Sequence, residues 1–328
     1  MASIRLGKGA EFDLIRRFLA AAAPPSHQAV RVGPGDDCAV VHAEGIAVSV
    51  DMSVEGVHFR RDWLGPEEIG YRAATAALSD LAAVAATPIG ILVALALQPS
   101  DAEETGGRVM VGAVAAAESV SAVLLGGDLT RTDGPLIIDV VVVGNAVQPA
   151  LRSGAMPGDV IWVTGELGAA AAAVRALQRG ETPSAEGWRA YARPTPRAAE
   201  AVWLARHGVI NALIDLSDGL AGDVGHMAAA SDVQIIIDVA EVPIHPTVAS
   251  SEDALRLAIA GGEDYELCFA ARPGAVEPLV QAFTERFALR LSRVGTVHHG
   301  SGVLLRDREG RLSEPRFRGY DHFAESGA

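Results

Sequence analysis

The stretch LIDLSDGLAGD, residues 213–223, constrains the fold more tightly than any other in the chain. It opens with the short apolar run of a β-strand and closes with the spacing of a helix. Within nine positions it also carries Asp215, Asp218 and Asp223. A strand that delivers this much like charge to a helix start implies a strand–turn–helix unit with a polar purpose at its turn. Counterparts recur at GPGDD (33–37), SVD (49–51), LSD (78–80) and GGD (126–128). Each is read as a carboxylate at the end of an apolar element, most with Gly or Ser alongside. Glycine permits close backbone approach, and serine offers an oxygen ligand or a cap. One such turn is an ordinary cap. Five that converge need compensation, because two carboxylates about 5 Å apart repel by ~3 kcal/mol at an effective dielectric of about 20. Several pairs would rival the stability of a domain, so the acids are either dispersed or share cations. Oxygen-only ligands select Mg²⁺, Mn²⁺ or Ca²⁺ over zinc, and Mg²⁺ held by carboxylates keeps positions for water and phosphate.

Around these turns the chain alternates strands and helices. EFDLIRRFLAAA has helical spacing, and IAVSVDMSVEGVHF reads as two strands around Asp51. PEEIGYRAATAALSDLAAVAA opens with Pro and two acids, as helices prefer. The strand IGILVALAL follows, then a helix from about Asp101 to Ser119, the short strand AVLLGGD and the β-branched strand LIIDVVVVGNAV. A second cycle starts near residue 151. It runs through the strand GDVIWVTG, the helices ELGAAAAAVRAL and TPRAAEAVWLARHG, the LIDLSDG turn and the strand VQIIIDV. A helix over 253–260, the strand YELCFAA, a helix over 274–287 and closing strands complete it. The succession predicts an α/β fold (α+β layers) in two domains, 1–150 and 151–328.

Composition removes several function classes. The formal charge of −14 disfavours nucleic acid and acidic membranes as partners, and no basic run exceeds two residues. The longest apolar run, Leu81 to Leu97, is broken by Thr87, Pro88 and Gly90, which argues against a membrane span. The N-terminus lacks the layout of a signal peptide, so a cytoplasmic protein is expected. Cys38 and Cys268 read as core thiols. Arginine outnumbers lysine 26 to one, so lysine-based phosphate or Schiff-base chemistry would fall to Lys8. GxxxxGK[ST], the kinase HRD and DFG triplets and HExxH are all missing. GELGAAA (165–171) follows a strand and opens a helix, so it could hold a phosphate, although glycine–alanine packing explains it as well. An NAD-dependent oxidoreductase built on it would lack the full glycine pattern and a ribose-binding acid.

Ten segments, EFDLI, GDDCAV, SVDMSVEGVHF, LSDLAA, GGDLTR, RSGAMPGDVIWVTG, ARPTPR, IDLSDGLAGDVGHMAAAS, GGEDYEL and RGYDHF, occur in one order over essentially the whole chain. Together they resemble the thiamine-monophosphate kinase family, within the aminoimidazole ribonucleotide synthetase-like superfamily. The resemblance implies an enzyme that phosphorylates thiamine monophosphate to thiamine diphosphate, with ATP as co-substrate and several Mg²⁺ ions. It implies an N-terminal metal- and ATP-binding sheet domain that pairs in a homodimer and a C-terminal α/β domain, with the active site in the cleft between domains. Metal ligands carry over to Asp37, Ser49, Asp51, Asp80, Asp128, Asp215 and Asp218. ATP contacts carry over to Gly127, Asp128, Arg152 and Ser217, and substrate contacts to His58, Glu263 and Phe317. Val50 stands where the family often has Thr, which leaves only a backbone carbonyl there. GKGAEF stands where Gly commonly precedes Glu directly, and Phe317 where Trp is expected.

The implied chemistry is direct in-line transfer, metal-assisted and without a protein side chain as catalyst, since positioning and charge neutralisation dominate phosphoryl transfer. Two other readings stay open on sequence. One is another ATP-dependent synthetase of the superfamily; the selenophosphate type would carry a reactive Cys before an N-terminal lysine, and none precedes Lys8. The other is a non-catalytic nucleotide- or metal-binding module whose acids only cap helices.

Overall fold

The computed structural model describes residues 17–18, 27–32, 40–251 and 253–315. The helix expected over EFDLIRRFLAAA, together with Asp37, Cys38 and Phe317, falls largely or wholly outside them. The chain divides into two compact units, Met1–Pro149 and Ala150–Ala328.

The first unit pairs β1 (Val30–Val32) with β2 (Val40–Val41) and builds a four-stranded sheet from β3 (Ile46–Val54), β4 (Thr87–Leu97), β5 (Val123–Arg131) and β6 (Ile137–Asn145). The order is β3-β6-β4-β5, antiparallel except for the β4/β5 pair. Two helices, α1 (Pro66–Ala83) and α2 (Glu104–Ser119), cover one face. They approach closely because each offers a glycine at the crossing. A β-carbon on Gly70 would lie 1.9 Å from the Val109 carbonyl oxygen, and one on Gly112 would lie 1.9 Å from that of Glu67. Along β3 the burial alternates with period two, as pleating requires. Ser49, Asp51 and Ser53 share the side toward the helices, while Ile46, Val48, Val50 and Met52 are 53–62% exposed on the other. Instead of two strands around Asp51, β3 runs unbroken through it, because its pairing with β6 overrides the weak strand preference of Asp.

The second unit forms a seven-stranded sheet, β13-β12-β9-β11-β7-β10-β8. Its strands are β7 (Val160–Thr164), β8 (Ala212–Leu216), β9 (Gln234–Asp238), β10 (Glu266–Ala271), β11 (Leu291–His298), β12 (Gly302–Arg306) and β13 (Leu312–Ser313). Only β9/β12 is parallel. Every residue of β7, β8 and β10 is buried, so side chains on both faces are covered. Helices α3 (Ala169–Gln178), α4 (Ala185–Ala192), α5 (Ala198–Arg206), α6 (Leu220–Ser231), α7 (Ala254–Ala260) and α8 (Val280–Phe287) supply the cover. Val224 and Met227 of α6 join Ile214, Ile235 and Cys268 in one core cluster. On α5, Trp203 meets Phe283 and Phe287 of α8 edge-on. Helix α4, not among the expected elements, starts at Ser184, whose hydroxyl accepts from the Gly187 amide. Cys268 is a buried free thiol whose pKa burial raises. No helix among the described residues is long and apolar enough to cross a membrane.

Candidate functional site

Of the four acidic segments among the described residues, only DLSDG ends an apolar element as expected, while GPGDD (33–37) lies outside them. Asp51 lies inside β3, Asp80 inside α1 and Asp128 inside β5. Their positions follow from register. Ser49 faces α1, and its hydroxyl donates to Asp80 Oδ2 at 2.5 Å. Asp51 lies opposite Val140, which lies opposite Val93, which lies opposite Gly127. One transverse row of the sheet therefore joins Asp51 to Gly127. A β-carbon on Gly127 would sit 2.0 Å from the Val93 carbonyl oxygen, so the strands can pair here only with glycine.

Asp128 belongs to the next row, with Ala94, Asp139 and Met52. Pleating places that row on the opposite face from Asp51. The cause is a bulge: Ile91 pairs with Leu124 but Leu92 with Gly126, and this one-residue slip reverses the face of everything after it. The sheet thus brings Ser49 and Asp80 together, with Asp51 on the same face, and sets Asp128 apart from them.

His58 follows β3 on a tight turn. Its amide donates to the Val54 carbonyl at 2.9 Å, and its Nδ1 accepts from the Val54 amide at 3.0 Å. An accepting Nδ1 puts the proton of the neutral ring on Nε2, so the ring presents a donor at its far edge.

In the second unit Asp215 is buried in β8, opposite Leu267. Ser217 and Asp218 form the turn into α6. Asp223, one turn into that helix, accepts from the amides of Asp218 and Gly219, both at 3.1 Å. It is 3% exposed, and its pKa is raised to about 8 by burial, then by the charges of Asp215 and Asp218. The three aspartates of LIDLSDGLAGD thus have unequal roles: Asp223 braces the turn that carries the other two.

The GGEDYEL segment docks against the same turn. The Glu263 amide donates to the Ser217 carbonyl and the Tyr265 amide to that of Leu216, each at 2.8 Å. Glu263 and Tyr265 both have positive φ, +76° and +50°, a conformation that costs a non-glycine residue about 1–3 kcal/mol and persists only where its surroundings enforce it. The Tyr265 hydroxyl donates to Glu263 Oε2 at 3.3 Å, which orients that carboxylate.

Behind them lies a layer that motif reading left without a role. Asp264 accepts from the Gly168 amide with both oxygens at 3.0 Å and pins the GELG turn. Glu266 takes a bidentate pair from Arg197, 3.0 Å at Nε and 2.5 Å at Nη2, and accepts from Thr164 Oγ1 at 2.5 Å. These residues were visible only as parts of GGEDYEL and ARPTPR. Arg152 is exposed, and its carbonyl accepts from Ser231 Oγ at 3.2 Å.

Among the described residues no group of three or more His, Cys, Asp or Glu side chains could hold a metal ion by itself. The donor chemistry nonetheless fits Mg²⁺. Every candidate ligand is an oxygen, and the pKa of Asp223, raised first by burial and then by the charges of Asp215 and Asp218, marks a turn whose negative charge a divalent cation would offset.

Residues 35–146 match the N-terminal domain of AIR synthase related proteins, and residues 156–307 match the C-terminal domain. The thiamine-monophosphate kinase of Escherichia coli (strain K12) is 36% identical over 342 residues, spanning 96% of this chain and 98% of the relative. The crystal structure of thiamine-monophosphate kinase from Stenotrophomonas maltophilia K279a is 34% identical with a TM-score of 0.81, covering 93% of this chain and 98% of that one. AaThiL complexed with AMPPCP and TMP is 27% identical with a TM-score of 0.75, covering 95% of each.

Proposed function

This chain belongs to the thiamine-monophosphate kinase family, and we propose that it transfers the γ-phosphoryl group of ATP directly to the phosphate of thiamine monophosphate, giving thiamine diphosphate and ADP. The observation that carries the reading is the braced turn at residues 215–223, set within full-length similarity to kinases of this name.

The acceptor is already an anion, so its oxygen needs no general base. The barrier to be lowered is repulsion between donor and acceptor phosphates. We assign Ser49, Asp51 and Asp80 on one face of the first unit's sheet, Asp128 on its other face, Asp215 and Asp218 of the second unit, and Asp37 beyond the described residues, as ligands that would hold Mg²⁺, with several ions shared among them. When bound, it neutralises phosphate charge. Arg152 adds an exposed guanidinium suited to phosphate oxygens, while Gly127 and Ser217 complete the ATP contacts with Asp128. His58 donates from Nε2 to the substrate. Glu263, held by Tyr265, accepts from the aminopyrimidine or pairs with the thiazolium, and Phe317 provides the stacking face. Asp223 acts on Asp218 through its amide and touches no substrate.

The same reading includes a homodimer and a cytoplasmic location. The dimer is supported by the apolar, exposed side of β3, where Ile46, Val48, Val50 and Met52 form a stripe that a second copy would cover. Stereochemistry tests the transfer step. Inversion at a chirally labelled γ-phosphorus is expected, and retention would establish a phospho-enzyme and overturn direct transfer.

A further inference from the structure

We propose that the second unit contains an anion site, separate from the acidic turn, in a cavity of about 440 Å³ beside the end of β7, and that its ligand is a diphosphate or a similarly small phosphorylated anion. Asp215, Ser217, Asp218 and Glu263 are not among its lining residues. The inference goes beyond the transfer reaction and does not depend on it.

The volume lies within the range of about 300–1,000 Å³ typical of small-molecule sites. In a chain with a formal charge of −14, Arg189, Arg193, Arg197 and Arg290 all line this one cavity. Local structure explains the convergence. Arg189 lies in α4 and Arg193 follows one turn later at its C-cap, Arg197 is the N-cap of α5, and Arg290 immediately precedes β11.

The four guanidiniums are not equivalent. Arg197 is committed to Glu266 and Glu200, so its charge is already engaged within the cavity floor. Arg189 and Arg290 are exposed, and neither has an ion-pair partner among the described residues. Such groups are suited to bidentate contact with phosphate oxygens.

Four carboxylates line the same cavity, so the field depends on which groups are already paired. Glu166 and Glu186 contribute negative charge. Glu266 is neutralised by Arg197. Asp264 is turned onto the Gly168 amide, from which both of its oxygens accept. Ala169, in the first turn of α3, also lines the cavity, beside the Gly168 amide that Asp264 holds.

Because the site is built from guanidiniums, it binds without a metal, which separates it from the proposed reaction. The test is calorimetric titration of the whole protein with inorganic diphosphate in EDTA, comparing the wild type with the double variant Arg189→Gln/Arg290→Gln. The expected result is one saturating site per chain whose Kd rises at least about tenfold in the double variant, the scale of losing a charge-assisted contact. It should also weaken as salt rises. Both side chains are exposed, so an unchanged Tm confirms folding of the variant, and Arg189→Lys should give an intermediate Kd. Absence of saturable binding, or equal affinity in the wild type and the double variant, would overturn the proposal. A protein that bound diphosphate in EDTA yet made no thiamine diphosphate with Mg²⁺ would keep this site and sink the kinase reading instead.

Discussion

The two units position their polar residues by opposite means. In the first, Ser49, Asp51 and Asp80 sit inside a regular strand and a regular helix, and pleat and register decide where each points. In the second, Ser217, Asp218 and Glu263 sit in irregular backbone, held by carboxylates that accept main-chain amides and by two residues at positive φ. Regular elements position a side chain through many weak pairings, so one altered residue shifts little. An irregular turn relies on a few strong bonds, so losing one brace should release the whole segment.

The sharpest way to break this contrast is to remove a brace. Arg197→Met strands the buried Glu266 carboxylate and should cost about 3–5 kcal/mol. Urea unfolding would register it, and a loss below about 1 kcal/mol would show that the second unit does not depend on its ion pairs.

Next come the proposed ligands themselves. Asp51→Asn in one unit and Asp218→Asn in the other should each lower kcat by about 10²–10³-fold, the scale of removing one transition-state contact. Tm should be unchanged or higher without metal, because a repelling charge is gone. Unfolding of either variant, or full activity in a folded one, would support a purely structural role for that carboxylate.

A further effect is expected from pH. Asp223 keeps its proton in the folded chain up to about pH 8 but has an ordinary value of 3.8 when unfolded. Between those values the folded chain holds the extra proton, so this contribution is complete below about pH 4 and is lost as pH rises toward 8. In EDTA the urea midpoint should therefore fall across that window, and Asp223→Asn should flatten the slope. An equal slope in the variant would remove Asp223 from the account.

The smallest change is Ser49→Ala, which deletes the hydroxyl bonded to Asp80. A loss of about 0.5–1.5 kcal/mol is expected, the net worth of one hydrogen bond. A much larger loss would mean that the first unit also relies on single strong contacts.

The same contrast explains what could be read in advance. The LIDLSDG turn was legible because Asp, Ser and Gly at a strand-to-helix junction have few other uses. Asp51 and Asp128 were legible as residues but not as geometry. Cross-strand pairing carried β3 and β5 straight through them, and a bulge beside Leu92 moved Asp128 to the other face. A slip of one residue leaves no mark in the amino-acid order. Arg197, Asp223 and Asp264 went without roles because their partners lie elsewhere in the fold or close a local turn. Helix α4 went unread because it spans only eight residues, and Ser184 was its main signal.

Direct measurement of thiamine diphosphate formed from thiamine monophosphate and ATP tests the central claim without intermediaries. Product should appear with Mg²⁺, one ADP for each thiamine diphosphate, and should vanish in EDTA. Undiminished product in EDTA would contradict the metal-dependent mechanism, and no product with Mg²⁺ from a folded, ATP-binding protein would contradict the function itself.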